Sequence, residues 1–491
     1  MASKKNKFSI KNIKKETRIL ICGIAVIILI AVSVFLRRAY LLSEANLTAS
    51  ELSTEQKLIL DEKIKSSSYE RSNTIHHLPY IVKDGLFLPN DYSTADYPFE
   101  NLQINAQSAI LINCDTGDIL FEKNADKEIP PASMTKLFLM YTVFQKISEG
   151  KATLDDVVPL PPASWASHMP PHSSLMFLGK GQTVTLRELL TGLAVCSGND
   201  ASHAIAFYLF GNIDNFLYEV NEEIKKCGLE KTRIVEPSGY SEQNITTARE
   251  MVKFARIYIN KYPESLSQFH SVKKIVYPQE HNLAPEDRNK KPQKFDGSFP
   301  DSLWTPIEQE NTNGLLKTLY GCDGLKTGYI DESGYNLSLT CKRRGERYLS
   351  ITMGGPGENI VEGDKYRQLD GMTLQEYAFN TFRETRALSE SEMSVTLPLL
   401  GAKSGSVKLI VPYEVRTCVQ KKYFGEDDIA LNYIIPKALF GKIEAGKEYG
   451  KLRVCINGVI IEEVPLIADR DEENAFFLQQ FIDRIVYQTI K

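Results

Sequence analysis

Three serine–lysine pairs in this 491-residue chain have a spacing at which a helix places both side chains on one face. A serine hydroxyl is a poor nucleophile until a nearby base accepts its proton. A lysine is such a base only when burial or a neighbouring cation lowers its pKa. The pairs are Ser133 with Lys136, Ser148 with Lys151, and Ser271 with Lys274. Taken alone, Ser133 is better explained as a helix N-cap, so spacing by itself does not establish any chemistry.

Two further motifs, each present once and both downstream, favour the first pair. Ser197-Gly198-Asn199 lies within CSGNDASHA, and Lys326-Thr327-Gly328 lies within GCDGLKTGY. Lys326 can be the neighbouring cation and can attract an anionic substrate terminus, while Thr327 offers a hydroxyl to a carboxylate. Gly328 lets a substrate backbone approach a strand closely. Ser197 can relay a proton, and the Asn199 amide can hold Lys136 and a substrate amide.

The ordered triplet resembles the arrangement in penicillin-binding proteins and serine β-lactamases. The segments PASMTK, SSLMFL, EPSGYSEQNITTAREM and DGLKTGY are similar to those of serine-type D-alanyl-D-alanine carboxypeptidases, over about residues 103–385. The resemblance implies an acyl-enzyme on Ser133 and an oxyanion hole made by the backbone N–H groups of Ser133 and Tyr329. It implies catalytic roles for Ser133, Lys136, Ser197 and Asn199, and substrate binding by Lys326, Thr327, Gly328 and Tyr329.

Arg367 begins a pattern in YRQLDGMTLQEYAF that resembles a family segment whose arginine helps to hold a terminal carboxylate. A bidentate guanidinium suits that role. A solvated arginine at a helix start explains the pattern equally well. His203 and Asp200, close to the second motif, are predicted to be helix-surface or capping residues. Neither the histidines nor the 8 cysteines have a metal-ligand spacing, so we predict no metal and no cofactor.

The N-terminus combines a basic segment with an apolar run. Residues 1–18 contain seven Lys and Arg against one Glu, and residues 19–36 carry no charge and are long enough to span a bilayer. The basic excess predicts a cytoplasmic N-terminus. The long run ends in Arg37-Arg38 without a nearby cleavage site, which favours an uncleaved single-pass anchor in the cell membrane over a signal peptide. The rest of the chain is then extracytoplasmic.

The pattern of elements predicts an α/β (α+β) domain over residues 103–388, preceded by an extracytoplasmic tether at 37–102. NAQSAILINCDTGDILFEKN predicts a hairpin, and apolar periodicity predicts a helix at 133–148. Further predictions are one continuous helix in LRELLTGLAVCSGNDASHAIAFYLF, a helix at 247–262, a long loop at 265–310, and strands at 335–344 and 346–355. The family resemblance implies that this domain is β-lactamase/transpeptidase-like, with an antiparallel sheet and a helical cluster.

The character of the chain changes after residue 389, where short strands alternate with turn residues. This pattern predicts a small all-β sandwich at 389–472. Residues 473–491 predict an amphipathic helix that packs on the β domain or lies on a membrane. The net charge of −4 gives no indication of a nucleic-acid partner.

The resemblance implies a membrane-tethered D,D-carboxypeptidase that removes the terminal D-alanine of a peptidoglycan stem peptide and is acylated by β-lactams. A D,D-endopeptidase or transpeptidase acting on the same bond type remains an alternative. A β-lactamase is disfavoured because no ExxLN-type loop with an extra carboxylate is evident between the second and third motifs. A silent wall-binding protein is also an alternative, although the intact motifs argue against it.

Overall fold

The computed structural model describes residues 15–41, 52–66, 74–83, 86–90, 102–295, 299–385, 388, 393–422 and 429–490. These residues form two compact units. The first, the larger unit, comprises the described residues of Asn73–Thr385 and Thr417–Gly425. The second, the smaller unit, comprises those of Met1–Ser72, Arg386–Arg416 and Glu426–Lys491.

The α-helices of the described residues begin and end as follows: α1 Lys15–Leu41, α2 Thr54–Ser66, α3 Lys136–Ser148, α4 Leu186–Val195, α5 Asn199–Phe210, α6 Ile213–Lys226, α7 Ala248–Lys261, α8 Leu315–Thr318, α9 Ile360–Thr381 and α10 Phe477–Ile490. Short 3₁₀ turns lie at Ala132–Thr135, Pro162–Ser164, Ala166–His168 and Glu280–Asn282, and a π-helical turn lies at Leu266–His270.

The strands are β1 His76–His77, β2 Tyr80–Lys83, β3 Leu86–Pro89, β4 Ser108–Asn113, β5 Asp118–Lys123, β6 Glu128–Ile129, β7 Thr246–Thr247, β8 Lys274–Tyr277, β9 Ile307–Glu310, β10 Cys322–Ile330, β11 Gly334–Arg343, β12 Glu346–Gly355, β13 Phe382–Glu384, β14 Val395–Leu400, β15 Ser406–Ile410, β16 Cys418–Gln420, β17 Ile429–Ile434, β18 Leu439–Phe440, β19 Glu448–Ile456 and β20 Val459–Ala468.

The larger unit is built on a six-stranded sheet with the order β1-β5-β4-β12-β11-β10. All neighbours pair antiparallel except β1 with β5, and the hairpin predicted from the N-terminal part of this unit is confirmed as β4 and β5. Successive residues of a strand point to opposite faces. Leu349 and Ile351 therefore join the core under α7, whereas Ser350 faces α9 and accepts a hydrogen bond from Gln375.

Helix α3 is the central helix of the larger unit. Every residue from 136 to 144 is buried, because apolar side chains occupy all faces of this stretch and α5, α6 and α7 surround it. Phe138 stacks on Phe254 of α7 with ring centroids 4.1 Å apart, and Tyr141 meets the same ring edge-on. A residue at the N-terminus of α3 is consequently held deep in the unit, away from water.

Two predictions about elements are wrong. The continuous helix predicted across the second motif is instead two helices, α4 and α5, separated by residues 196–198. Ser197 adopts φ 61°, in the left-handed region, which a continuing right-handed helix does not allow. The segment predicted as a loop, 265–310, contains two strands, because β8 and β9 pair antiparallel with Lys274 opposite Glu310.

The smaller unit carries a six-stranded sheet with the order β17-β19-β20-β15-β14-β18, which agrees with the predicted all-β character. The C-terminal helix is present as α10. At the N-terminus, Ile19–Tyr40 of α1 is long and apolar enough to cross a membrane, by length and composition. Most of the predicted basic segment, residues 1–14, lies outside the described residues. The segment predicted as a tether contains α2 and the strands β1 to β3.

Candidate active site

Ser133 lies on the 3₁₀ turn that leads into α3. Pro130 and Pro131 precede this turn. Pro131 occupies its N-cap position, and no side chain makes a capping hydrogen bond there. The N-cap interpretation of Ser133 is wrong, because the turn already begins at Ala132 and Ser133 Oγ contacts Lys136 Nζ at 2.9 Å. The tighter 3₁₀ winding places residues i and i+3 almost directly above one another, which explains the direct contact.

Lys136 Nζ lies within hydrogen-bond distance of three oxygen atoms. Besides Ser133 Oγ, these are Asn199 Oδ1 at 2.9 Å and the backbone oxygen of Ser238 at 2.5 Å. The last two are carbonyl oxygens and can only accept. A neutral amine has two N–H donors and one lone pair, so donating to both carbonyls leaves the lone pair for the Ser133 hydroxyl. In the neutral form of Lys136 the contact set favours Ser133 as the proton donor, whereas in the ammonium form Nζ donates to all three oxygens.

The environment of Lys136 favours that neutral form. Its side chain is 0% exposed. Burial lowers the pKa of Lys136 to about 7, against the opposing influence of the Glu236 and Asp200 carboxylates. Desolvation disfavours the charged ammonium, and the two carboxylates offset part of this effect by stabilising the positive charge. A lysine with this pKa can accept a proton near neutral pH.

The second motif is placed by the break between α4 and α5. Ser197 Oγ is buried and has no hydrogen-bond partner among the residues that the structure describes. Asn199 begins α5 and turns its amide oxygen toward Lys136. Asp200 is fully buried and accepts hydrogen bonds from the backbone N–H groups of Met176 and Leu178 at 2.8 and 2.9 Å. The prediction that Asp200 is a surface or capping residue is therefore wrong in part, because its carboxylate anchors the loop beside the motif.

The third motif lies on β10, the edge strand of the main sheet. Lys326 is 1% exposed, and its Nζ donates to the backbone oxygen of Thr327 at 3.0 Å. Burial lowers the pKa of Lys326 well below its usual value, and the positive charges of Lys136 and Arg367 lower it further. Thr327 Oγ1 meets Thr312 Oγ1 at 2.7 Å. The three motifs, separate in sequence, therefore converge on one site.

Gly328 permits the close contact between β10 and the serine turn. A Cβ at Gly328 would lie 2.6 Å from the Pro131 backbone oxygen and 3.2 Å from Ser133 N. Gly239 approaches the same turn, and its Cβ would lie 1.9 Å from the Ala132 oxygen. The role that the sequence predicts for Gly328, to admit a substrate backbone, stays a prediction. The contact with residues 131–133 is a separate reason for glycine.

We expect Gly328→Ala to reduce acylation of Ser133 by about tenfold or more, since small displacements of reacting groups carry large rate costs. It should also lower the free energy of unfolding by about 1–3 kcal/mol, because backbone atoms must move to admit the methyl group. The rate is measured with a fluorescent penicillin and the stability by thermal unfolding. Gly314→Ala is the control, since the three atoms nearest to its Cβ would belong to the flexible amide end of Gln368. Equal behaviour of the two variants would contradict this role of Gly328.

Tyr329, next to the third motif, is exposed, whereas Arg367 is buried. Tyr329 is 42% exposed and stacks on Tyr335 with ring centroids 4.3 Å apart. Arg367 is buried on α9, pairs with Asp364, and lies 5.7 Å from the centre of the Tyr335 ring. The interpretation of Arg367 as a solvated arginine is wrong, because its side chain is 8% exposed and its charge reaches Lys326.

The other two Ser-x-x-Lys matches make no comparable contact. Ser148 is exposed and donates to the Gln145 backbone oxygen, while Lys151 pairs with Glu149. Ser271 donates to the Ser267 oxygen, and Lys274 pairs with Glu308. Both lysines extend into solvent, with 62% and 60% of their side chains exposed. Within the described residues, no group of three or more His, Cys, Asp or Glu side chains is placed to hold a metal ion.

Two contacts of the site were not predicted from sequence. Thr312, which meets Thr327, donates its backbone N–H to the Val195 oxygen at 3.1 Å and so links β10 to the end of α4, two residues before the second motif. Glu236 organises the loop that carries the Ser238 carbonyl. The Pro-Ser-Gly that follows Glu236 is a turn signal, and a carboxylate before a turn can accept its N–H groups. The sequence therefore contains a signal for this turn, but no signal that its Ser238 carbonyl contacts Lys136.

The fold and the joined serine, lysine and asparagine side chains define a low-molecular-mass penicillin-binding protein. The family model for D-alanyl-D-alanine carboxypeptidase matches residues 93–357, and that for the penicillin-binding protein 5 C-terminal domain matches residues 382–474. The chain therefore belongs to the D-alanyl-D-alanine carboxypeptidase family and is a serine-type peptidase.

Individual proteins of this family are similar to the chain in sequence and in structure. D-alanyl-D-alanine carboxypeptidase DacF of Bacillus subtilis is 28% identical over 80% of this chain and 92% of its own length. DacD of Salmonella typhimurium is 31% identical over 74% and 85%. The crystal structure of penicillin binding protein 5 from Haemophilus influenzae superposes with a TM-score of 0.65 at 26% identity, covering 76% of this chain and 99% of that one. These similarities confirm the predicted α/β domain followed by a β domain.

Proposed function

We propose that this protein removes the terminal D-alanine from peptidoglycan stem pentapeptides through an acyl-enzyme on Ser133, and that β-lactams acylate the same serine. The observation that carries the proposal is the 2.9 Å contact between Ser133 Oγ and the buried Lys136 Nζ. The lowered pKa of Lys136 and the membership of the chain in the D-alanyl-D-alanine carboxypeptidase family also support the proposal.

In the proposed acylation step, Lys136 accepts the hydroxyl proton while Ser133 Oγ attacks the carbonyl carbon of the penultimate residue. The backbone N–H groups of Ser133 and Tyr329 stabilise the oxyanion. The peptide bond breaks, and the proton on Lys136 passes through the Ser197 hydroxyl to the leaving D-alanine amine, which returns Lys136 to its neutral form. The Ser197 hydroxyl is buried and unpaired among the described residues. In the second step Lys136 accepts a proton from water as the water oxygen attacks the ester carbon. The bond to Ser133 Oγ then breaks, and Lys136 returns the proton to Oγ.

The terminal carboxylate of the substrate is proposed to bind at the third motif. Lys326 and Arg367 lie within electrostatic range of each other, and Arg367 also pairs with the Asp364 carboxylate. A substrate carboxylate near Lys326 would favour the charged form of this lysine, which burial and the neighbouring cations disfavour. Thr327 supplies a hydroxyl beside Lys326, and the substrate backbone extends along β10 past Gly328. Asn199 holds the substrate amide with its side-chain NH₂ while its oxygen accepts from Lys136.

We also propose a single-pass attachment to the cell membrane through residues 19–36, with the catalytic domain at 103–388 outside the cytoplasm. The length and apolar composition of Ile19–Tyr40 support a membrane span. The basic residues before it support a cytoplasmic N-terminus. In this arrangement residues 37–102 are the tether, residues 389–472 form the β domain, and residues 473–491 form the C-terminal amphipathic helix.

The pH dependence of acylation follows from the pKa of Lys136, which burial lowers to about 7. Below that pH the ammonium form has no lone pair to accept the Ser133 proton, so the acylation rate should fall as the pH decreases. We expect an acid limb with a midpoint near 7, measured with a fluorescent penicillin between about pH 5 and pH 9. A rate that still rises steeply at pH 9, as an ordinary lysine pKa of 10.5 requires, would contradict the proposed base.

The proposed activity is tested by release of D-alanine from a synthetic stem pentapeptide, with a cross-linked peptide dimer and a chromogenic cephalosporin as parallel substrates. We expect rapid release from the pentapeptide and slow turnover of the cephalosporin after one acylation. Faster cleavage of the dimer would favour the endopeptidase alternative, and sustained cephalosporin turnover would favour a β-lactamase. Absence of all three reactions and of penicillin labelling would leave only the wall-binding alternative.

A further inference from the structure

The loop between the end of α6 and β7 brings a carboxylate close to Lys136 without direct contact. Glu236 is one of the charges that raise the pKa of Lys136. Both oxygens of this carboxylate face the inside of their own loop. Oε2 accepts from Ser238 N at 2.8 Å and from Ser238 Oγ at 2.6 Å. Oε1 accepts from Gly239 N at 2.5 Å, Asn244 Nδ2 at 3.0 Å and Ser241 N at 3.3 Å.

These hydrogen bonds continue to the serine turn through a buried asparagine. Asn244 is 0% exposed, and its Nδ2 also contacts Thr135 Oγ1 at 3.2 Å, one residue before Lys136. Its Oδ1 accepts from Val235 N at 2.7 Å, on the other side of Glu236. The segment is therefore held at both ends, and the Ser238 carbonyl within it is fixed at 2.5 Å from Lys136 Nζ.

We infer that Glu236 is a positioning residue for acylation: it shapes the loop that presents the Ser238 carbonyl to Lys136 and so directs the amine lone pair to Ser133. The inference rests on the proposed function of Ser133 and Lys136. It follows from the lone-pair argument, because a neutral Lys136 needs two carbonyl acceptors to leave Ser133 as its donor. Without the Ser238 carbonyl, one N–H of Lys136 is free to turn toward Ser133 Oγ.

The same geometry argues against Glu236 as the base that activates water for hydrolysis of the acyl-enzyme. A carboxylate that activates water must present a free oxygen toward the acyl-enzyme. The five hydrogen bonds from residues 238, 239, 241 and 244 occupy both oxygens of Glu236. Slow deacylation of a β-lactam ester is therefore expected even though a carboxylate lies between the second and third motifs.

The charged and titratable groups around Lys136 define the expected pH effect. Glu236 from the loop, and Asp200 and Cys196 from beside the second motif, raise the pKa of Lys136, whereas burial lowers it. On β10, the charge of Lys136 in turn lowers the pKa of Lys326. Removing the negative charge of Glu236 should therefore move the acid limb of acylation to lower pH, while loss of the Ser238 carbonyl from its position reduces the rate.

The test compares Glu236→Gln and Glu236→Asp with Glu242→Gln, which changes an exposed carboxylate of the same loop. The readout is the rate of Ser133 acylation by a fluorescent penicillin as a function of pH. For Glu236→Gln we expect a loss of about 10- to 100-fold on the pH plateau and an acid limb at lower pH. Glu236→Asp keeps the charge but is too short, so the rate should fall with a smaller shift. Glu242→Gln should match the wild type.

Folding is checked by thermal unfolding of each full-length variant. If Glu236→Gln does not fold, Ser238→Ala removes one hydrogen bond to Oε2 and should lower the rate in the same direction by a smaller factor. A folded Glu236→Gln, or Ser238→Ala in its place, with the wild-type rate and acid limb overturns the inference. A wild-type protein that is not acylated at Ser133 contradicts the proposed function instead, so the two failures are distinguishable.

Discussion

Ser133→Ala is expected to abolish covalent labelling by penicillin and to reduce D-alanine release to the background rate. The reason is that the acyl-enzyme needs an oxygen nucleophile, and Ser133 Oγ is the hydroxyl in contact with Lys136. The methyl side chain of alanine fits the space of serine, so the fold should be unchanged. The measurement combines fluorescent penicillin labelling on a denaturing gel with peptide mass mapping of the labelled residue.

The chain contains its own controls for this experiment. Ser148→Ala and Ser271→Ala change serines with the same Ser-x-x-Lys spacing, and both hydroxyls donate to backbone oxygens of their own helical turns. These two variants should retain full labelling and full D-alanine release. Labelling that persists in Ser133→Ala, or that disappears in Ser148→Ala, would contradict the assignment of the nucleophile.

Lys136→Gln is expected to reduce the acylation rate by about 10²- to 10⁴-fold, the usual contribution of a general base. The glutamine amide keeps N–H donors on the side of the Asn199 and Ser238 oxygens, one bond short of the Nζ position, but it has no basic lone pair for the Ser133 proton. Substrate and penicillin should still bind, so the loss should lie in the acylation step. Stopped-flow acylation at saturating penicillin separates that step from binding.

Lys151→Gln is the matched control, since Lys151 has the same spacing from a serine but is exposed and pairs with Glu149. It should behave as the wild type at every pH. The small residual acylation of Lys136→Gln should also lose the acid limb near pH 7, because the titrating group is gone. A variant that keeps a wild-type rate, or the same limb, would require a base other than Lys136.

The sequence predicted the parts of the protein whose signals are local. The apolar run at 19–36, the hairpin that became β4 and β5, and the helix after Ser133 follow from hydropathy and periodicity. The ordered motifs resembled a known family, and the comparisons confirm that family. Predictions failed where tertiary contacts override local pattern. The helix across residues 196–198 is broken because Ser197 adopts a left-handed conformation within the site.

The sequence by itself determined which residue types are available for acyl transfer, and it placed them in three short motifs. The downstream motifs favoured Ser133 and Lys136, but only the tertiary structure shows that this lysine is buried against the serine, because burial and pKa depend on contacts between distant segments. Lys136 meets Asn199 and Ser238 across separations of 63 and 102 residues. Periodicity reports neighbours within a few positions, so neither contact could be derived from it. For the same reason Glu236, which arranges the second contact, was visible only in the folded chain.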